Sequence, residues 1–176
     1  TGELDVRWLV GTVAHESHHL GMQSIAPALL SAADAMAYRV LNLCVAEGAA
    51  TAFISGPPEG RAPAVPGVPF HLYPGELAKA WSAHVDDEAE ILKRQLELLD
   101  RACAGELTEE AFSAQLRDYW LSGVVGRAYV LGADMVHAIF LAFGKQGGFA
   151  AMQDPRKLFE LYNSALDARP EVLKRC

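Results

Sequence analysis

Apolar residues recur along this chain at steps of three and four, the period of a helix with one buried face, and no segment shows a defensible alternation of apolar and polar positions. Over residues 5–22 a helical period runs through Trp8, Leu9, Thr12, His15, Glu16 and His19, and Gly21 is a natural stop. Pro27 suits the first turn of a short second piece. A longer helix then runs to about residue 54, with Ser31 and Asp34 as alternative N-caps and Met36, Val40, Leu43, Cys44 and Val45 on its apolar side. Trp81, Val85, Glu88, Leu92, Leu96, Leu99 and Cys103 predict a continuous seam over residues 75–104. Thr108 with Glu109 and Glu110 predicts the capped start of a helix to about residue 122. Tyr129, Gly132, Met135, Val136, Ile139, Phe140 and Phe143 mark another over residues 124–144, and Gly147-Gly148 a flexible break. Asp154-Pro155 opens the last helix, which Arg169-Pro170 closes.

The expected fold is therefore mainly α: a single-domain bundle of about six helices spanning residues 1–176. One segment interrupts it. Residues 56–75 carry most of the prolines and have no periodicity, a loop long enough to be functional or unstructured. Phe70, His71, Leu72 and Tyr73 at its end are too apolar for a plain linker and are expected to fold back over a cleft.

Composition agrees with a globular core: 51% of residues are hydrophobic and 21% charged, in a chain of 176. A net charge of −7 without a basic cluster argues against a nucleic-acid partner. No run of about 18 apolar residues predicts a membrane span. Cys44, Cys103 and Cys176 are odd in number and scattered, which is no disulfide framework and favours a reducing, cytoplasmic compartment. No signal peptide is present in these residues, and a start at Thr1 rather than Met fits a processed form or a piece lacking upstream residues.

The candidate chemistry lies in the first helix. His15-Glu16-Ser17-His18-His19 has the form H-E-x-x-H. Residues i and i+4 share a helix face, so His15 and His19 can offer two imidazoles to one ion, with Glu16 beside them as a general base. His18 points off that face and is expected either behind the ligands or at the surface. A catalytic zinc needs three protein ligands and an open position. Glu47, His71, His84, Asp34 and His137 are candidates for the third. Glu47 ranks first, because it lies one helix downstream in a run of very small side chains, where helices approach closely and a buried carboxylate needs a partner. Tyr129, His137, His71 and Tyr73 are candidates to stabilise a developing oxyanion. Thr51, Asn42 and Asp34 are candidate acceptors for the imidazole N–H groups that face away from the metal. The metzincin extension is excluded, since Met22 and Ile25 stand where Gly and His are required.

The H-E-x-x-H helix followed by Glu47-Gly48-Ala49-Ala50 resembles gluzincin-type metallopeptidases, most closely a bacterial group of helical zinc-dependent peptidases. Later segments, Tyr129-Val130-Leu131-Gly132 and Phe159-Glu160-Leu161-Tyr162-Asn163, resemble the same group. The resemblance implies a zinc metallopeptidase acting on a peptide or protein substrate, with Zn2+ held by His15, His19 and Glu47 and Glu16 as the base. Three other readings compete. His-Glu-Ser-His-His-Leu-Gly-Met-Gln also resembles the metal helix of DinB-like bundles, which use three histidines and act on thiols. A di-iron bundle requires a second Glu-x-x-His, which is missing. A helical interaction module leaves both the H-E-x-x-H helix and Glu47 unexplained.

Overall fold

The computed structural model describes residues 6–25, 27–28, 31–55 and 75–168. All regular structure among them is helical, as the periodicity predicts. Seven α-helices are present: α1 (Val6–Ser24), α2 (Ala32–Ala50), α3 (Gly75–Asp86), α4 (Glu88–Cys103), α5 (Glu109–Gln115), α6 (Arg127–Gln153) and α7 (Leu158–Ala168). Residues 56–74, including Phe70, His71 and Tyr73, lie outside the described residues, as does the Arg169-Pro170 stop.

Side-chain caps fix several starts. Ser31, not Asp34, is the N-cap of α2: its Oγ accepts from the Asp34 N–H at 3.0 Å and donates to Asp34 Oδ2 at 2.8 Å. Thr108 caps α5, accepting from the Ala111 N–H at 3.2 Å. Asp154 accepts from the Arg156 N–H at 3.2 Å, and Pro155 opens a 3-10 turn, Pro155–Lys157, that leads into α7.

Three boundaries differ from expectation. Gly21 does not stop α1; it sits exposed inside the helix, which runs on to Ser24. The seam expected over residues 75–104 is broken at Asp87, and the break resets the helical phase of α4. The buried face of α4 is Ile91, Gln95, Leu98 and Ala102 rather than Leu92, Leu96 and Leu99, which flank it. The interruption expected at Gly147-Gly148 falls instead at Gly144, whose φ of 64° is left-handed. Gly147 and Gly148 are buried, and a Cβ on Gly147 would lie 2.6 Å from Phe143 Cβ.

The centre of the molecule is the crossing of α2 and α6. Val40, Cys44 and Val45 of α2 are buried with Leu131, Met135 and Ile139 of α6. At the crossing point two glycines face each other's backbones. A Cβ on Gly48 would meet the Gly132 carbonyl carbon at 2.2 Å, and one on Gly132 would meet the Cys44 carbonyl oxygen at 2.1 Å. No side chain fits in either place, so the helices approach to backbone contact. α4, α5 and α7 close the main core through Ile91, Phe112 and Leu158. A smaller cluster of Trp81, Val125, Val130 and Ala133 packs α3 against the start of α6 and supports Tyr129.

α6 is the one described helix long and apolar enough to cross a membrane by length and composition. Its apolar side chains face α2 and α7, as in the core helix of a bundle. α1 is different: it rests on α2 and on the π-helical turn Thr51–Ser55 that continues α2. Among its described side chains only His15 and Met22 are buried, while Val10, Val13 and Leu20 are each more than half exposed.

Candidate metal centre

α1 is helical through the whole H-E-x-x-H sequence, so His15 and His19 lie one turn apart on the face that meets α2. His15 is buried to 2% exposure and His19 is partly buried. Opposite them, the Gly48–Gly132 crossing fixes the height of α2 and presents Glu47 to α1. Three donor atoms converge. Glu47 Oε2 lies 3.3 Å from His15 Nε2 and 3.5 Å from His19 Nε2, and the two Nε2 atoms are 3.0 Å apart. Nitrogen and oxygen ligands about 2.0–2.2 Å from one tetrahedral zinc stand about 3.3–3.6 Å from each other. The observed triangle is close to the base of such a tetrahedron, with the fourth corner left to water or substrate.

Hydrogen bonding among the described residues does not satisfy this group. Glu47 Oε2 is buried and receives no well-formed hydrogen bond, although an imidazole lies on either side. Only one proton can sit between two imidazole nitrogens in contact. A buried charged acceptor without a donor costs upwards of about 1–3 kcal/mol. A cation accepting a lone pair from all three atoms satisfies them together. These three residues form the only grouping of this kind among the described residues.

The electrostatics reflect the same contacts. Burial pushes the Glu47 carboxyl up, but the two imidazoles outweigh it and hold the pKa at about 2. The close contact with the Glu47 carboxylate raises His19, against burial, with the charge of Glu16 adding to it. His18 is lowered, by burial first and then by its two neighbouring histidines. Tyr129 is raised by burial and by the Glu47 carboxylate, so its hydroxyl keeps its proton.

Other expected participants are placed elsewhere. His84 Nε2 bonds the Val125 carbonyl at 3.0 Å, and Asp34 serves the α2 cap. His137 is half-buried on α6 and is not among the converging donors. Thus no third histidine joins the group among the described residues; His71 lies outside them. His18 is half-buried beside His19, with its Nε2 buried, and is not a plain surface residue. None of Thr51, Asn42 and Asp34 takes the N–H of His15; its Nδ1 and the Thr51 hydroxyl are both buried without a hydrogen bond to the described residues. Cys44, next to the site on α2, has its thiol pushed up to about 12 by burial, although Gln95 donates to its Sγ at 2.8 Å, and it is no ready nucleophile.

The model of one protein family, described as "Putative zinc dependent peptidase (DUF5700)", matches residues 4–170. The chain belongs to this family. No curated protein and no solved structure matches it. Membership makes the chain a zinc-dependent peptidase at the level of that description, with zinc as its cofactor. The His15–His19–Glu47 group is a donor set that suits zinc. Replacing Glu47 with alanine is expected to lower zinc content from one per chain to near none after dialysis. His137→Ala should leave it intact. Elemental analysis of both variants checks this, and zinc retained without Glu47 would count against the donor set.

Proposed function

We propose that the chain is a gluzincin-type peptidase, with His15, His19 and Glu47 as zinc ligands and Glu16 as general base. The observation that carries this reading is the donor triangle at near-tetrahedral spacing, with Glu16 adjoining it in sequence. Zinc held there supplies the acidity that makes a water nucleophilic near neutral pH and polarises a carbonyl.

The side chains do the rest. Glu16 is exposed on α1, outside the donor triangle, and its charge is felt at His19 and at Tyr129. It is thus free to accept a proton from the attacking water and return it to the departing amine. Tyr129 stands one turn before Gly132, the residue at which α6 touches α2 beside Glu47. Its protonated hydroxyl is the donor we assign to the developing oxyanion. Two histidines and one glutamate, rather than three histidines, favour this reading over a DinB-like thiol-directed bundle.

The test is cleavage of a mixed peptide library by zinc-loaded protein. A chelator should abolish cleavage, and stoichiometric zinc should restore it. Cleavage that survives metal removal, or a fully loaded protein that cuts nothing, would defeat the proposal.

A further inference from the structure

A cavity of about 210 Å³ opens directly beside the donor triangle, between α1 and α2, and shares His19 and Glu47 with it. Drug-sized ligands occupy about 300–1,000 Å³. This cavity falls below that range, the scale of one side chain. Met22 and Leu43 give it apolar walls. Its polar end is a pair on one face of α2. The Tyr38 hydroxyl donates to Asn42 Oδ1 at 3.3 Å, and Tyr38 is itself buried. That bond occupies the amide oxygen and fixes which way the amide faces. Asn42 Nδ2, with two N–H donors, makes no hydrogen bond to any described residue.

We infer that this cavity is the side-chain pocket of the substrate, that it takes an uncharged side chain ending in a carbonyl, such as glutamine, and that Asn42 Nδ2 is the donor that selects it. The inference rests on the peptidase reading above. A donor without a protein partner among the described residues can take a substrate carbonyl in place of water. Glu47 is committed to the metal, so neither an ammonium nor a carboxylate meets a free counter-charge, whereas a neutral amide needs none. The described residues also contain no strand along which a peptide main chain could pair. Among the described residues recognition therefore falls to side-chain pockets, and this one shares His19 and Glu47 with the donor triangle. Tyr38 is a positioning residue, acting through Asn42.

The experiment uses peptides identical except for Gln, Leu or Glu at each position flanking the scissile bond. The wild type should favour Gln over Leu at one position by about 3- to 10-fold in kcat/KM, the worth of one hydrogen bond, and reject Glu. Asn42→Leu should abolish or reverse the Gln preference while zinc content stays at one per chain. Tyr38→Phe should give a partial loss. Asn42→Asp keeps the size and removes the donor, so it should behave like Asn42→Leu even if leucine disturbs the fold. Calorimetric binding of the same peptides to zinc-loaded Glu16→Gln protein should give the same order without turnover. Equal treatment of Gln and Leu by the wild type, or an unchanged ratio in both Asn42 variants, overturns the inference; chelator-sensitive cleavage would then still uphold the peptidase reading. Selective binding without cleavage would uphold the pocket and overturn the peptidase.

Discussion

Glu16→Gln is expected to lower peptide turnover by about 10²- to 10⁴-fold, the usual contribution of a general base, while the protein keeps one zinc per chain. The substitution preserves length and shape and removes only the carboxylate's capacity to take a proton. Zinc should stay because Glu16 is not among the three converging donors. Substrate affinity should change little, so the loss should fall on kcat and on kcat/KM alike, as for an interaction made in the transition state. Single-turnover kinetics at matched zinc loading checks this. Equal turnover in both proteins would remove Glu16 from the mechanism and leave the gluzincin assignment without its base.

Gly132→Ala is expected to destabilise the fold by about 3 kcal/mol or more, at or beyond the upper end of ordinary overpacking. The added methyl would sit 2.1 Å from the Cys44 carbonyl oxygen and 2.9 Å from its carbon, and both are backbone atoms in the middle of a helix. Comfortable carbon–oxygen contacts begin near about 3.3 Å, so α2 and α6 would have to separate by about an ångström. At about 2–4 °C per kcal/mol for a chain of this size, the melting temperature should fall by about 6–12 °C or more. Zinc affinity should fall with it, because the same crossing sets Glu47 against the two histidines. Gly21→Ala is the control. Gly21 lies in an exposed helical turn of α1 with no neighbouring heavy atom within 4 Å of its would-be Cβ. Alanine there should be neutral or stabilising by up to about 1 kcal/mol. Matched melting curves for Gly132→Ala and the wild type would mean that the helices do not meet at the glycines.

Much of this arrangement was legible in the residues. The period of three and four located the helices, and Ser31, Thr108 and Asp154-Pro155 are caps whose chemistry is local and therefore readable. The i, i+4 spacing of His15 and His19 needs only a helix to bring two imidazoles to one face. Glu47 was recognisable because a carboxylate among Gly and Ala residues implies close packing and a partner. The features that escaped depend on tertiary contact. Leu92, Leu96 and Leu99 satisfied the expected seam, yet the break at Asp87 turned Ile91, Gln95 and Leu98 inward, and a buried glutamine has no hydrophobic signal. Gly144 and Gly147 look alike in sequence; only the neighbouring Phe143 and Ile139 show that Gly147 fills a space and Gly144 bends the chain. Asn42 was read as an acceptor behind the histidines; that its amide oxygen takes the Tyr38 hydroxyl instead shows only in the structure. The reciprocity of Gly48 and Gly132, far apart in sequence, is visible only where two backbones meet.

The light seating of α1 has a thermodynamic consequence. A helix whose described side chains bury only His15 and Met22, with Val10, Val13 and Leu20 turned outward, belongs to the part of a fold that opens most readily. Two of the three donors ride on that helix and the third is on α2, so an ion held by all three would cross-link the lightly seated α1 to the central helix α2. Metal occupancy and attachment of α1 then become a single equilibrium: at free zinc a thousandfold above its dissociation constant, binding adds about 4 kcal/mol against any opening that separates the ligands. The ion thus acts as a molecular rivet, and the peptidase would hold its general base in register only while the rivet is in place.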